Sequence, residues 1–485
     1  MRKKYEPQIE LGAIPIPMIQ IPVDKRDELP GILRGLQWIY MTPEVFNPIM
    51  DLLSEKIQSE KSETGRWGMN LWQILVLGVL RNGLEANFSR LTDLANNHRL
   101  IRQMLGVVSL VDEADFHYQT ICDNVNHIDG ETLRKINIII ASEGGNIFKK
   151  NEEEGLEIRT DGYVLETNVH FPTDMNLLWD CARKSLDIIE KLDGKGLVRG
   201  WRKLDNWRKD LKYRKIGLER ANRGGGANKE KRIAKAVEKY LVKTHALEVK
   251  ISDTLEALSA IMTEPKTVLL HLELSDYHDL MKHHIKLVNQ RLVEGIPVEH
   301  EEKYFSIFER HTEWIKKGKS GNRVELGHNV LISADQHRLI RDYEVLNKKS
   351  EKEAIHGAVD RLKKNYSEEI ELLSADKGFY SKENVEKLEE KVERVVIPKT
   401  GKRTKKQKER EEEKDFKEAR KRHSGIESVI NSLEHHGMGR CFNKGLDGFE
   451  RCVGFGVLSY NLHQIGNKLI SLEEESLERL KIKAA

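Results

Sequence analysis

The chain has 485 residues, which is too long for one ordinary domain and enough for two or three. Its 33% of charged residues and negative mean hydropathy predict a globular protein in water. The apolar run at residues 74–80 is far shorter than the roughly 20 residues of a membrane helix, so we expect no membrane association. The net charge of +3 is nearly neutral, so only the local distribution of charge is able to indicate a nucleic-acid partner.

The cysteine pattern and the N-terminus both favour the cytoplasm. Four cysteines are scattered without CxxC spacing, which argues against a disulfide framework and suits a reducing compartment. The first residues are basic but no apolar segment follows them, so we expect no signal peptide.

The first third of the chain is predicted to be mainly helical. Residues 1–65 form a predicted N-terminal extension, rich in proline at first and then helical to about residue 61. Residues 66–150 form a predicted all-α domain, with apolar residues at helical spacing. Its helices are predicted at residues 69–81, 88–105 and 115–126. Such a domain is typical of DNA-binding proteins and equally of a plain packed bundle, because nothing marks a recognition helix.

Strand character begins after residue 155. Residues 156–161 and 163–169 alternate with period two, and Asp161-Gly162 between them is a turn signal, so two strands joined by a turn are predicted. Thr173 is placed to cap a helix that begins near Met175.

A long helical insertion is predicted at residues 175–317. Residues 191–240 hold 17 Lys and Arg against 6 Asp and Glu, an excess that a phosphate backbone would attract. Trp201, Trp207 and Tyr213 lie among these charges, where they are candidates for stacking on exposed bases or for anchoring a core, and their six-residue spacing slightly favours the core.

Strands and helices then alternate. A hairpin is predicted from residues 324–334 and 339–346 through a tip at residues 335–337. Further strands are predicted at residues 371–375 and 392–398, and helices at 352–365, 382–391 and 414–472. Residues 399–422 form a basic segment, with 12 Lys and Arg against 6 Asp and Glu. The pattern predicts a mixed α/β core at residues 151–470, with the helical insertion inside it and a C-terminal tail at 471–485.

Three acidic residues occupy positions from which their carboxylates are able to bind the same metal ions. Asp161 and Asp376 end predicted strands, and Glu427 lies on a later helix. Carboxylates are the ligands of hard divalent cations, and two such cations promote in-line displacement at phosphorus. Each acid also has a structural interpretation, as a turn residue, a helix cap or a solvated side chain. Asp335 is the rival second acid, ranked lower because it fits a hairpin tip.

Three segments in the same order resemble the blocks of insertion-sequence DDE transposases, especially the ISNCY type. Residues 160–174 resemble the first-aspartate block, residues 373–381 the second, and residues 422–433 the glutamate block. Residues 66–106 are similar to the N-terminal domain of that family, so the resemblance covers most of residues 66–465. At position 434, where family members often carry Lys or Arg, this chain has Glu434. The basic contact to DNA that such a residue would make is either missing here or supplied by Arg440 or Lys444.

The resemblance implies an α/β, RNase H-like catalytic core with a mixed sheet, preceded by the all-α domain. It implies that Asp161, Asp376 and Glu427 are catalytic and hold two Mg²⁺ or Mn²⁺ ions. Its implied partners are DNA, namely the terminal repeats of the element and the target DNA, and a second copy of the chain, as a homodimer or higher oligomer on DNA. A cytoplasmic, nucleoid-associated location follows.

Other residues are candidates for contacts with DNA. The expected DNA-binding residues are Arg422, Tyr380, Lys399, Lys402, Arg403, Lys405, Lys406, Trp201, Arg202, Lys203 and Arg208. His170 and Asp174 are candidates for substrate positioning, with a capped strand-to-helix turn as the structural alternative. Two alternatives to a transposase stay open at this point: a hydrolytic nuclease of the same fold, and a domesticated DNA-binding protein that has lost catalysis.

Overall fold

The computed structural model describes residues 3–5, 13–22, 27–58, 68–107, 116–149, 151, 154–259, 264–316 and 324–484. The chain divides into two compact units. The first combines residues 1–168 with residues 313–485, and the second is Val169–Thr312. The predicted boundaries at residues 65 and 317 lie outside the described residues, and the predicted division into domains stays a prediction.

The N-terminal part of the first unit is helical, as predicted. Its helices are α1 (Glu28–Met41), α2 (Pro43–Gln58), α3 (Leu71–Gly83), α4 (Phe88–Asn97), α5 (Arg99–Met104), α6 (Tyr118–Asn126) and α7 (Gly130–Asn146). The prediction of one helix at residues 88–105 is wrong, because His98 adopts an extended conformation that ends α4 and caps α5. The predicted start of the third helix at residue 115 lies outside the described residues.

A single long strand, β1 (Leu156–Thr167), follows. The predicted turn at Asp161-Gly162 is therefore wrong. Asp161 pairs with Ile332 and Gly162 with Leu331 of a neighbouring strand, so the ladder runs through both residues without a break. Pairing across the sheet has overridden the local turn preference of Asp-Gly.

The second unit is built from four helices. They are α8 (Asp174–Asp193), α9 (Leu204–Arg223), α10 (Lys229–Ser259) and α11 (Pro265–Leu292). Thr173 caps α8 as predicted, since its side chain accepts a hydrogen bond from the Asn176 backbone N–H. The prediction of helix as far as residue 317 is wrong at its end, where the chain, by then in the first unit, forms the strand β2 (Glu313–Lys316).

The rest of the first unit alternates between strands and helices. In chain order these are β3 (Val324–Ala334), β4 (Ile340–Leu346), α12 (Glu351–Asn365), β5 (Ile370–Ala375), α13 (Lys382–Glu389), β6 (Arg394–Val396), α14 (Lys405–Glu412), α15 (Lys414–His423), α16 (Gly425–Leu433), β7 (Arg440–Cys441) and α17 (Gly445–Ala484). The predicted hairpin is confirmed as β3 and β4, which pair antiparallel. The two-residue strand β7 was not predicted.

The strands form one mixed sheet in the order β2, β3, β1, β5, β6, with β4 also paired to β3 and β7 to β1. Strand β1 is antiparallel to β3 and parallel to β5, and β5 is parallel to β6. The α/β, RNase H-like core that the resemblance implies is thereby confirmed, with a helical region before it.

Helices cover both faces of this sheet. On one face Ile158 and Leu331 share a core with Ile355 of α12. On the other face Leu165 shares a core with Val429 of α16. Since side chains alternate along a strand, Gly162 belongs to the face that α12 covers, and Asp161 to the face that α16 covers.

The last helix joins the sheet to the N-terminal helices. Val453 and Val457 of α17 belong to the sheet core, whereas Leu462 and Ile465 belong to the core of the N-terminal helices. Among the described helices, none combines the length and the apolar character that crossing a membrane requires.

Candidate active site

Two of the predicted acids lie side by side where parallel strands end. Thr160 of β1 is paired with Ala375, the last residue of β5, and the next residue in each strand direction is an aspartate, Asp161 and Asp376. Neighbouring strands are about 4.8 Å apart, so the two aspartates follow from one rung of the ladder. Beyond this rung β1 has no partner on this side among the described residues until Glu166 pairs with β7, which leaves an opening in the sheet.

Glu427 reaches the same opening from a helix. It lies in the first turn of α16, whose first residue, Gly425, packs against Arg159 so closely that a Cβ there would lie 2.9 Å from a guanidinium nitrogen. Asp161, Asp376 and Glu427 together line a cleft of about 840 Å³. The structure therefore brings all three predicted catalytic residues to one place.

Electrostatics in this cleft disfavour an ionised Asp161. Burial, with smaller contributions from the charges of Asp376, Glu351 and Glu427, raises the pKa of its carboxyl to about 6 against the opposing hydrogen bond from the Gly162 N–H. Like charges held together in a partly buried site are unfavourable unless a cation joins them. The cleft is thus a place where negative charge is concentrated and incompletely neutralised.

We predict a pH-dependent stability effect at this residue. In metal-free buffer, Asp161→Asn should stabilise the fold at pH 7 by on the order of 2 kcal/mol, because the wild-type carboxylate ionises at lower pH in the unfolded chain than in the folded one. Ionisation of Asp161 lowers the stability of the wild-type protein as the pH rises from about 4 to about 6. Near pH 4 the variant should therefore be no more stable than the wild-type protein. Urea unfolding with EDTA at both pH values measures it, and an equal gain at pH 4 and pH 7 would contradict the prediction. The exposed Asp415→Asn is the control.

The structure adds two residues that the prediction missed. His423, the last residue of α15, lines the cleft and holds Ser374 through Nδ1 at 3.1 Å, and burial lowers the pKa of its imidazole. Glu351, the first residue of α12, lines the cleft from another side. Glu351 carried no distinguishing signal, because an acid in the first turn after Ser350 is the ordinary composition of a helix start.

Asp335, the rival second acid, has a structural role instead. It is fully buried, its carboxylate accepts hydrogen bonds from the backbone N–H groups of His337 and Leu339, and it pairs with Arg341 at 2.7 Å. Asp335 therefore lies at the tip of the β3–β4 hairpin, as predicted from the sequence.

The predicted DNA-binding residues of the basic segment lie beside the acids. Lys399 and Arg403 line a second, smaller cleft that also includes Asp376 and Glu427. Lys399 donates to Gln407 in a partly buried contact, and Arg403 pairs with Glu411. The other predicted lysines of this segment, Lys402, Lys405 and Lys406, are exposed.

Tyr380 and Arg422, also predicted to contact DNA, already have partners in the protein. The Tyr380 hydroxyl accepts a hydrogen bond from Gln407 at 3.2 Å, and the exposed Arg422 lies 3.3 Å from a Glu157 carboxylate oxygen. Both contacts are ones that a phosphate is able to replace, since the arginine pair is open to solvent.

The candidates in the second unit have mixed outcomes. Trp201 is 2% exposed and donates its indole N–H to Thr254, so stacking on a base does not fit its position, and the alternative of a core anchor is the correct one. Arg202 and Lys203 are exposed. Arg208 pairs with three acids within this unit, which are Asp187, Glu190 and Asp205.

The two predicted positioning residues are paired within the second unit. His170 lies 2.5 Å from Asp180, which raises the pKa of its imidazole, and Asp174 lies 2.5 Å from Arg291. Their role in positioning substrate stays a prediction.

The donor set of the cleft fits a hard divalent cation in its chemistry. Its acids are oxygen donors, as Mg²⁺ prefers, and Asp161, Asp376 and Glu427 line one cleft. Within the described ranges, no three His, Cys, Asp or Glu side chains stand close enough to hold a metal ion in their present conformations. Binding a cation would therefore require the carboxylates to turn toward one another.

Comparison with known proteins adds independent evidence. Residues 292–462 match the family model of the transposase DDE domain. The matched segment includes Asp376 and Glu427 and begins beyond Asp161. No significant match is found among curated proteins or among solved structures. The resemblance to DDE transposases is thereby confirmed for this segment, without its ISNCY subtype.

Proposed function

We propose that this transposase binds the ends of its own insertion sequence and cuts and joins DNA with Asp161, Asp376 and Glu427 as its catalytic triad. The observation that carries the proposal is the common cleft. Two aspartates follow one rung of adjacent parallel strands, and a glutamate from α16 lines the same opening. Asp376 and Glu427 both lie in the segment that matches the transposase family. The ISNCY subtype is part of this proposal.

Divalent metal ions are the general requirement of this family. In this chain Asp161, Asp376 and Glu427 would hold two Mg²⁺ or Mn²⁺ ions, which supply stabilisation of negative charge during in-line displacement at phosphorus. The protein's own contribution is to gather three carboxylates at one opening of the sheet. Cleavage and strand transfer are then the same displacement, with water or a 3′-hydroxyl as the nucleophile.

His423 is suited to orient the reacting phosphate. Burial lowers the pKa of its imidazole, so the ring is neutral at pH 7, and its Nδ1 is engaged with Ser374. This leaves Nε2 for a hydrogen bond with substrate. The ring lines both clefts, as Asp376 and Glu427 do, and shares the smaller one with the basic side chains Lys399 and Arg403.

The basic segment is proposed to hold the DNA backbone. We predict that the triple substitution Lys402→Ala, Lys405→Ala and Lys406→Ala lowers the slope of log affinity against log salt concentration by about 2 to 3, since each phosphate contact contributes about 0.9. These lysines are exposed and have no ion pair among the described residues. Titration of labelled duplex DNA at several salt concentrations measures the slope.

The control for this prediction is a substitution of lysines elsewhere on the same unit. Lys382→Ala with Lys387→Ala removes two exposed charges of α13 that pair with Glu386 and Glu383. An unchanged slope in the triple variant, or an equal change in the control, would show that the basic segment does not contact phosphates.

The remaining candidates complete the proposal. Arg202, Lys203 and Arg208 would extend the DNA contact in the second unit, and His170 and Asp174 would position substrate. Two element ends must be held together to be joined, so we propose a dimer or higher oligomer on DNA. A protein–DNA complex that elutes in gel filtration at a one-to-one mass would contradict it. A cytoplasmic, nucleoid-associated location belongs to the same proposal.

The experiment that tests the proposed function uses the full chain and labelled DNA carrying the flanking ends of its gene. Incubation with Mg²⁺ or Mn²⁺ should produce nicks at the ends and joined products with a target DNA, and EDTA should abolish both. Nicks without joining would indicate a hydrolytic nuclease. Binding without either product would indicate a DNA-binding protein that has lost catalysis, and both results would overturn the proposal.

A further inference from the structure

A fourth acid, Glu351, stands beside the proposed triad. It is the first residue of α12, directly after the capping residue Ser350, and it lines the same cleft as Asp161 and Asp376. Its side chain is half-buried, and among the described residues no cation pairs with it. Lys316 and Lys352 line the cleft too, but neither forms an ion pair with Glu351 in the part of the chain that the structure describes.

The position of this carboxylate depends on a glycine. A Cβ on Gly162 would lie 2.2 Å from the Glu351 Oε1 and 2.8 Å from its Cδ, distances that no real side chain tolerates. The carboxylate therefore packs on the bare backbone of the residue that follows Asp161. Because Gly162 lies within a paired strand with no need for an unusual backbone angle, the close approach of Glu351 explains this glycine better than local conformation does.

Glu351 and Glu427 approach the opening from opposite sides of the sheet. Helix α12 packs on the face to which Gly162 belongs, and α16 packs on the face of Asp161. The two aspartates follow one rung of the sheet at the same opening. Acids therefore approach this opening from both faces of the sheet.

The charge balance of Glu351 is unfavourable without a ligand. Burial raises the pKa of its carboxyl, and the neighbouring charge of Asp376 raises it further. A partly desolvated carboxylate beside another carboxylate is relieved either by protonation or by a cation that neutralises both.

We propose that Glu351 is a fourth acidic ligand for divalent cations in this cleft, sharing them with Asp161 and Asp376. The inference rests on the proposed function, because it assumes that the triad holds metal. It assigns to α12 a direct part in metal binding beyond the three residues of the triad.

A purely structural role for Glu351 would be to stabilise the start of α12. An acid in the first turn interacts favourably with the helix dipole, typically by about 0.3 to 1 kcal/mol. Glu353 lies in the same turn, is exposed, and forms a capping box with Ser350. It provides a matched control, because Glu353→Gln removes the same charge from the same turn, and glutamine retains the capping box.

The test measures metal affinity directly, by titrating Mn²⁺ into the full chain in a calorimeter without DNA. Glu351→Gln should weaken binding by about tenfold or more, and Glu353→Gln should leave it unchanged. The rise in Tm on adding Mn²⁺ should shrink in parallel for Glu351→Gln, because a ligand stabilises the fold in proportion to its binding.

A second variant tests the position of the carboxylate without removing it. Gly162→Ala should displace the end of the Glu351 side chain, which is free to rotate, while the strand retains its backbone pairing. We expect weaker Mn²⁺ binding, in the same direction as for Glu351→Gln, with an unchanged circular dichroism spectrum. Wild-type affinity in this variant together with wild-type affinity in Glu351→Gln would overturn the proposal.

Asp376→Asn separates this inference from the proposed function. If Asp376→Asn weakens Mn²⁺ binding and Glu351→Gln does not, the triad holds metal and the role of Glu351 is refuted. If neither variant alters Mn²⁺ binding, the cleft is not the metal site, and both the inference and the metal-dependent triad fail. Weakening in both variants, with Glu353→Gln unaffected, supports the fourth ligand.

Discussion

Replacing Asp376 with asparagine should lower metal-dependent cleavage of the element ends by roughly 10² to 10³-fold or more, and Glu427→Gln should do the same. Loss of one group that stabilises charge in a transition state costs about this much, and a neutral amide is a weaker ligand for a hard cation than a carboxylate. Both acids are exposed at the cleft, so the fold should not change. Single-turnover cleavage of labelled ends measures the effect.

The control for this experiment lies on β5, the strand that Asp376 follows. Glu371 is an exposed acid of β5 that is not part of the cleft lining, and Glu371→Gln should cleave DNA like the wild-type protein. Cleavage that survives in Asp376→Asn would mean that the second acid of the triad has been misassigned. DNA binding should persist in both triad variants, because the phosphate contacts are assigned to other residues.

Replacing Asp335 with asparagine should lower the free energy of unfolding by about 3 to 5 kcal/mol, which is the cost of removing one partner of a buried ion pair. Asp335 and Arg341 have side-chain exposures of 0% and 1%, and they pair at 2.7 Å. Without this carboxylate, the guanidinium would remain buried against Tyr366, and the Glu368 carboxylate at 3.9 Å would be its remaining acidic partner. Urea unfolding of the full chain measures the loss.

An exposed pair of the same unit serves as the control. Asp360 pairs with Lys391 at the surface, and Asp360→Asn should alter stability by less than about 1 kcal/mol. Adding Arg341→Met to Asp335→Asn should recover stability, because it removes the buried charge. If Asp335→Asn is as stable as the wild-type protein but cannot cleave DNA, Asp335 is catalytic and its structural role is refuted.

Several features of this protein were predictable from local patterns. The β3–β4 hairpin followed from alternating apolar residues around a polar tip, and the strand before Asp376 from a short apolar run. The cap of α8 followed from the position of Thr173. These features depend on residues within a few positions of each other, so period and turn chemistry suffice to predict them.

Local patterns failed where distant partners decide the outcome. Asp161-Gly162 is a turn signal, yet pairing with β3 keeps both residues in one strand. Trp201 lies among basic residues in sequence, yet it is buried and bonded to Thr254 of α10. In each case the energy of burial and ladder pairing exceeds the local preference.

The sequence by itself therefore determined the order of the three acidic blocks and the α/β character of the core, because both are encoded by short segments. Only the tertiary structure decided which side chains share the cleft. Residue 161 meets residue 376 through the pairing of β1 with β5, across more than two hundred intervening residues. Glu351 joins them because α12 packs on the sheet face where Gly162 leaves room. Such proximity follows from the packing of whole elements, and no local pattern of residues encodes it.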